Sequence, residues 1–151
     1  MKRIIALLLA VMTVFALTAC GGKTTTVDAQ SLAKALAEKT AFESELSAVS
    51  KEELGYYFQL PAKCDAAAYM SSGSTAEEIF VIECYDGASA AALRTSMQDF
   101  LDSQKTEMER YLPAEVDRIN GAIFETYGTC VVLCVTSDTD MARSVIKEYV
   151  K

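Results

Sequence analysis

Leu17-Thr18-Ala19-Cys20 is the stretch with the most explicit chemistry in this 151-residue chain. It has a leucine-small-small-cysteine form, in which cleavage after Ala19 frees Cys20 as the first residue and its sulfur takes a diacylglyceryl group. Lys2 and Arg3 supply a positive start, and Ile4 to Leu17 an uncharged apolar run of fourteen residues. Such a run has the length of a signal h-region and falls short of the about 20 apolar residues of a membrane span. The expectation is a lipoprotein signal peptide over residues 1–19, with a plain secretory signal and an unmodified cysteine as the alternative. Two acyl chains anchor stably where one binds only marginally. The expected location is therefore the extracytoplasmic face of the cell membrane, and no cofactor is expected beyond the lipid on Cys20.

Four further cysteines follow: Cys64, Cys84, Cys130 and Cys134. Outside the cytoplasm an even number invites a disulfide reading. No CxxC occurs, so neither a thioredoxin-type dithiol nor a zinc knuckle is indicated. The chain has no histidine. That removes Ser-His-Asp and Cys-His activation, histidine-ligated metals and the usual near-neutral acid/base group. Catalysis would fall to carboxylates, lysine, tyrosine or a thiolate, and no motif marks such a site. An enzyme is not expected.

The candidate binding loop is Ser72, Gly73, Ser74 and Thr75 with Glu77 and Glu78: hydroxyls on a small-residue tip, then two carboxylates. Loops carry function more often than framework does. The bland alternative is a polar turn whose glutamates keep a sheet edge soluble. Asp138 and Asp140 stand where a helix begins, so capping is a better account of them than a metal. Lys105, Glu107, Glu109 and Arg110 read as a solvated helix end.

Cleavage after Ala19 leaves 132 residues, enough for one domain over residues 28–151 behind a short tether at 20–27. It also takes the net charge from −7 to −9. That balance opposes nucleic acid and bare anionic lipid as partners, leaving the lipid anchor as the membrane attachment.

The elements that must position these groups follow from periodicity. Asp28 can cap a helix to about Lys39, with Leu32, Ala35 and Leu36 as its stripe. Ser50 can cap Lys51-Glu52-Glu53-Leu54, turning Leu54, Tyr57 and Phe58 inward. Residues 63–72 and 77–85 read as a hairpin, with Ile79-Phe80-Val81-Ile82 apolar on both faces as in a central strand. Symmetry about Ser74 sets Ala66 opposite Ile82 and Cys64 opposite Cys84, a pairing that a one-residue slip would break. Cys64 and Cys84 then read either as a cross-strand disulfide or as two small buried thiols. Asp86 caps a long helix, residues 87–111. Residues 122–127 and 130–136 form a second hairpin across Gly128-Thr129, a type II′ turn. Ser137 is expected to cap a last helix to about Val150. The economical fold is α+β: a four-stranded antiparallel sheet of two hairpins with its main helices on one face. The N-terminal helices can cover part of the other face, which carries Tyr69, Ile79, Val81, Ile123, Tyr127 and Val132. Uncovered, that face would be a partner surface.

The chain resembles a family of small bacterial lipoproteins, the domain of unknown function DUF4358. The resemblance rests on Phe42-Glu43-Ser44-Glu45-Leu46, on Tyr69-Met70-Ser71-Ser72-Gly73-Ser74-Thr75-Ala76-Glu77-Glu78-Ile79, on Gln104-Lys105 to Tyr111-Leu112-Pro113-Ala114-Glu115, and on Gly128-Thr129-Cys130-Val131-Val132-Leu133. It covers nearly the whole domain and implies a location and a fold, with no activity attached. Members often lack these cysteines, which implies that thiol chemistry is a local feature of this chain. The expected role is a non-enzymatic domain that binds an envelope protein or peptide beside the membrane. The alternative is a small solute-capturing lipoprotein that feeds a transporter, and a carboxylate- or thiol-dependent hydrolase ranks below both.

Overall fold

The structure, a computed structural model, describes residues 26–150; residues 1–19, Ala19 and Cys20 with them, and most of the tether lie outside the described residues. In chain order the elements are α1 (Ala29–Lys39), β1 (Leu46–Val49), α2 (Lys51–Leu54), β2 (Cys64–Ser71) and β3 (Glu78–Cys84). They continue as α3 (Gly87–Tyr111), α4 (Glu115–Asn120), β4 (Ile123–Tyr127), β5 (Cys130–Val135) and α5 (Thr139–Tyr149). Among these helices none is long and apolar enough to cross a membrane.

The sheet is antiparallel throughout, with strand order β1-β2-β3-β5-β4. It has five strands, one more than expected. The addition is β1, which pairs along the outer edge of β2 from Leu46↔Ser71 to Val49↔Ala68. Four residues with a polar-apolar mix carry too little period to announce themselves.

The two hairpins take the registers expected. Ala66 lies opposite Ile82, Cys64 opposite Cys84, Phe124 opposite Leu133, and Tyr127 opposite Cys130. Gly128 has φ +61° and Thr129 stays at negative φ, the combination of a type II′ turn. At the other tip Gly73 has φ +92°, which a side chain would strain.

The helices divide between the faces. α5 lies on the side opposite α3, which corrects the expectation of both main helices on one face, while α1 covers that other side as the sequence allowed. α3, α4 and the α2 segment pack on the face of Phe80, Ile82, Val131 and Leu133. α1 and α5 pack together on the face of Ile79, Val81, Ile123 and Val132. The cause lies in β3 and β5, apolar on both sides. Helices on one face alone would leave Ile79, Val81, Val132 and Cys134 in water, at roughly 1.5–3 kcal/mol for each large side chain. The second face is therefore core. Leu32 and Leu36 seal it from α1, and Ala142, Val145 and Ile146 from α5.

Local chemistry explains the helix ends. Asp28 and Asp86 accept from the Ser31 and Ser89 backbone N–H groups as N-caps. Ser50 and Glu53 form a reciprocal capping box. For α5 the capping residue is Asp138, not Ser137, and it makes no side-chain cap; its Oδ2 accepts instead from the Ala41 N–H. In α3, Leu93, Met97 and Leu101 are buried while Tyr111, its last residue, is exposed. Phe58 packs 5.4 Å from Phe80 and 5.8 Å from Phe100, and Tyr57 stands at the rim.

Candidate functional site

The loop at the β2–β3 tip is held by charges that lie under it. Glu77 does not line a soluble edge: its side chain is wholly buried. Its carboxylate accepts from the backbone N–H groups of Glu43 and Ser44 at 2.9 Å each and from the Thr75 hydroxyl at 3.1 Å. α4, a helix not foreseen from the sequence, brings Glu115 and Arg118 to the same place. Glu115 accepts from the Ala76 N–H at 2.8 Å and from Arg118. Arg118 also bonds Glu43 and stands 4.0 Å from Glu77. Burial works against the guanidinium charge, but Glu43, Glu115 and Glu77 together raise its pKa above the ordinary value.

Three carboxylates thus share one arginine, and backbone N–H groups hold the surplus negative charge. The loop hydroxyls are engaged locally as well. Ser71 donates to the Thr75 carbonyl, Ser74 pairs with Ser44, and Thr75 reaches Ser44 and Glu77. Of the candidate loop residues, Ser72, Gly73 and Ser74 face solvent. The arrangement locks a turn to its neighbours and turns Glu77 and Glu115 inward, leaving Glu43 as its solvent-facing carboxylate.

Glu78 points to the opposite face and is also buried. The Gln104 amide donates to its Oε2 at 3.3 Å, while Glu78 Oε1 and Gln104 Oε1 have no partner. Burial pushes this carboxyl up to about 8, so it is largely neutral at pH 7.

The other end of the sheet carries the largest cleft among those described, about 600 Å³, lined by Lys51, Lys63, Cys64, Glu83, Cys84 and Tyr85 among others. Lys51 donates to the Cys64 carbonyl at 2.6 Å, and the Lys63 ammonium sits 5.2 Å from the Tyr85 ring centre. Glu83 accepts from the Thr129 hydroxyl through Oε1, while its buried Oε2 has no partner. Cys64 is partly exposed and Cys84, Cys130 and Cys134 are buried, all four as free thiols. Burial pushes Cys84 up to about 11 and Cys130 and Cys134 up to about 12. A catalytic thiol held ready as thiolate at neutral pH is shifted the opposite way.

Residues 38–136 match the family described as Domain of unknown function (DUF4358). The chain belongs to this family. The match runs from the end of α1 through β5, so it contains the whole sheet, the tip loop and α4. No curated protein and no solved structure matches the chain. The stretches that carry the family resemblance supply Glu43, Ser44, Thr75, Glu77 and Glu115, and these meet at one point in space. Arg118, which joins them, had no signal in the sequence beyond its place three residues after Glu115.

Proposed function

We propose that the protein is a membrane-anchored extracytoplasmic lipoprotein whose DUF4358 domain is a non-enzymatic binding module at the cell envelope. The observation that carries this reading is Leu17-Thr18-Ala19-Cys20 behind a charged start and a fourteen-residue apolar run. From Cys20 to Thr26 the chain reaches at most about 20 Å, so an anchored domain would sit beside the bilayer. The non-enzymatic part is supported by the raised pKa values of Cys84, Cys130 and Cys134 and by the internal engagement of Glu77 and Glu115. A second reading, capture of a small solute, is favoured by the cleft of about 600 Å³, which falls in the range of ligand sites.

The test is capture of the tagged full chain from its own cells after brief cross-linking, in mild detergent, with Cys20→Ser as the unanchored control. The expected result is membrane fractionation and one abundant envelope partner, both lost in the control. A membrane permease as that partner moves solute capture ahead. A chain that stays soluble with Cys20 intact overturns the anchor, and an anchored chain with no partner above background overturns the interaction role.

A further inference from the structure

Cys64 and Cys84 face each other across β2 and β3. Two backbone bonds fix which kind of pair they make. Ser71 N–H donates to the Glu77 carbonyl across this hairpin, and Cys84 N–H donates to the Thr129 carbonyl, away from β2 and toward β5. Since N–H groups alternate sides along a strand, Cys64 and Cys84 exchange no ladder bond with each other. Residues in such non-hydrogen-bonded positions approach most closely, with Cα atoms about 4.5 Å apart. That falls inside the Cα range of about 4.4–6.8 Å that a disulfide spans.

The surroundings allow no other pairing in this domain. Both side chains lie on the α3 face of the sheet, whereas Cys130 and Cys134 lie on the α1 face and four positions apart along β5. Cys64 is the accessible member: it lines the cleft between Lys51 and Lys63, with Cys84 buried beside it. We infer that Cys64 and Cys84 are a redox pair that closes into a cross-strand disulfide, with Cys64 as the thiol that meets the oxidant.

The oxidant is a disulfide, either of a small molecule or of an exported oxidoreductase. The Cys64 thiolate attacks one sulfur of that disulfide; its S–S bond breaks and one thiol leaves, taking up the Cys64 proton. Cys84 then gives its proton to solvent and attacks the Cys64 sulfur of the mixed disulfide. The second thiolate leaves and is protonated. Two electrons pass from the two cysteines to the oxidant, and two protons go with them. In the cell this rests on the extracytoplasmic reading, because the cytoplasm would keep the pair reduced. In vitro it does not.

The test uses the reduced full chain carrying Cys20→Ser, treated with glutathione disulfide, acid-quenched, and alkylated after denaturation. Trypsin leaves Cys64 and Cys84 together in residues 64–94, which hold no internal lysine or arginine. The expected product is that peptide, unalkylated and lighter by two hydrogens, while Cys130 and Cys134 are alkylated. The Cys84→Ala chain is expected to stop at a stable Cys64–glutathione adduct. Two alkylated thiols at Cys64 and Cys84, or a persistent adduct in the chain that retains Cys84, overturns the inference. Alkylation of intact cells before lysis separates the two readings. A pair that oxidises in vitro but is reduced in cells counts against the extracytoplasmic location and leaves the pairing standing.

Discussion

Glu78 and Gln104 meet in the core with one hydrogen bond between them and one unpartnered oxygen on each. A single proton resolves both. On Glu78 Oε1 it supplies the donor that Gln104 Oε1 lacks, and the amide and acid then satisfy each other in both directions. Burial, which raises this carboxyl to about 8, favours the same state. Because the folded pKa is raised, the stabilisation is full below the unfolded value of 4.5 and is lost as pH rises through about 8. Between those limits the contribution falls by about 1.4 kcal/mol per pH unit at its steepest. Glu78→Gln keeps the shape and removes the titration. Urea unfolding from pH 5 to 9 is expected to show a stability decline in the parent chain and a flatter profile in the variant. Equal slopes would refute the neutral-acid assignment.

Arg118 is expected to be the costliest charge to remove. Its guanidinium answers Glu43, Glu77 and Glu115, the last two with little solvent to replace it. Arg118→Ala leaves an uncompensated buried carboxylate pair, a change that costs about 3 kcal/mol or more. Arg118→Lys keeps the charge but loses the fork that reaches two partners at once, so it should recover only part of the loss. Chemical denaturation of both variants reads the difference, and an unchanged Arg118→Ala midpoint would mean that the backbone N–H groups alone suffice.

Most of the framework could be read from the chain because it repeats local rules. Asp28, Ser50 and Asp86 are caps with a clear run behind them, and the β2–β3 register follows from a symmetric turn around Ser74. What escaped was set by distant contacts. β1 is a strand only because β2 offers it an edge, and α4 is six residues held by Glu115 and Ile119 beneath the tip. The division of helices between faces was implicit in the doubly apolar β3, but which helix goes where depends on packing. Glu77 looked like a surface carboxylate because its ligands, Glu43, Ser44 and Arg118, lie more than thirty residues away in sequence.

The capping box at Ser50 gives a smaller and cleaner measurement. Its hydroxyl accepts from the Glu53 N–H while the Glu53 carboxylate accepts from the Ser50 N–H. Ser50→Ala removes the first bond and is expected to cost about 1 kcal/mol. The four-residue helix it starts leads to Leu54 and Phe58, which plug the α3 face, so the loss should appear in global unfolding and not as local fraying. A null effect by thermal melting would show that the Leu54 and Phe58 side chains alone hold the segment.

The family match begins at residue 38, yet the fold cannot begin there. α1 ends at Lys39, and its Leu32 and Leu36 are fully buried against Ile79, Val81 and Ile123. α5 lies past the match and supplies Ala142, Val145 and Ile146 to the same layer. A chain cut to residues 38–136 would expose one whole apolar face of a five-stranded sheet, and a patch of that size drives association. It is expected to be insoluble or to bind a hydrophobic dye, with poor amide protection in β3 and β5. The milder Leu36→Ala change in the full chain leaves a cavity and is expected to cost about 2–5 kcal/mol. A soluble, monomeric and cooperatively unfolding 38–136 fragment would show that the sheet is complete without its α1–α5 cover. Failure of the fragment together with a large Leu36→Ala cost would make α1 and α5 integral to the domain that the family match delimits too narrowly.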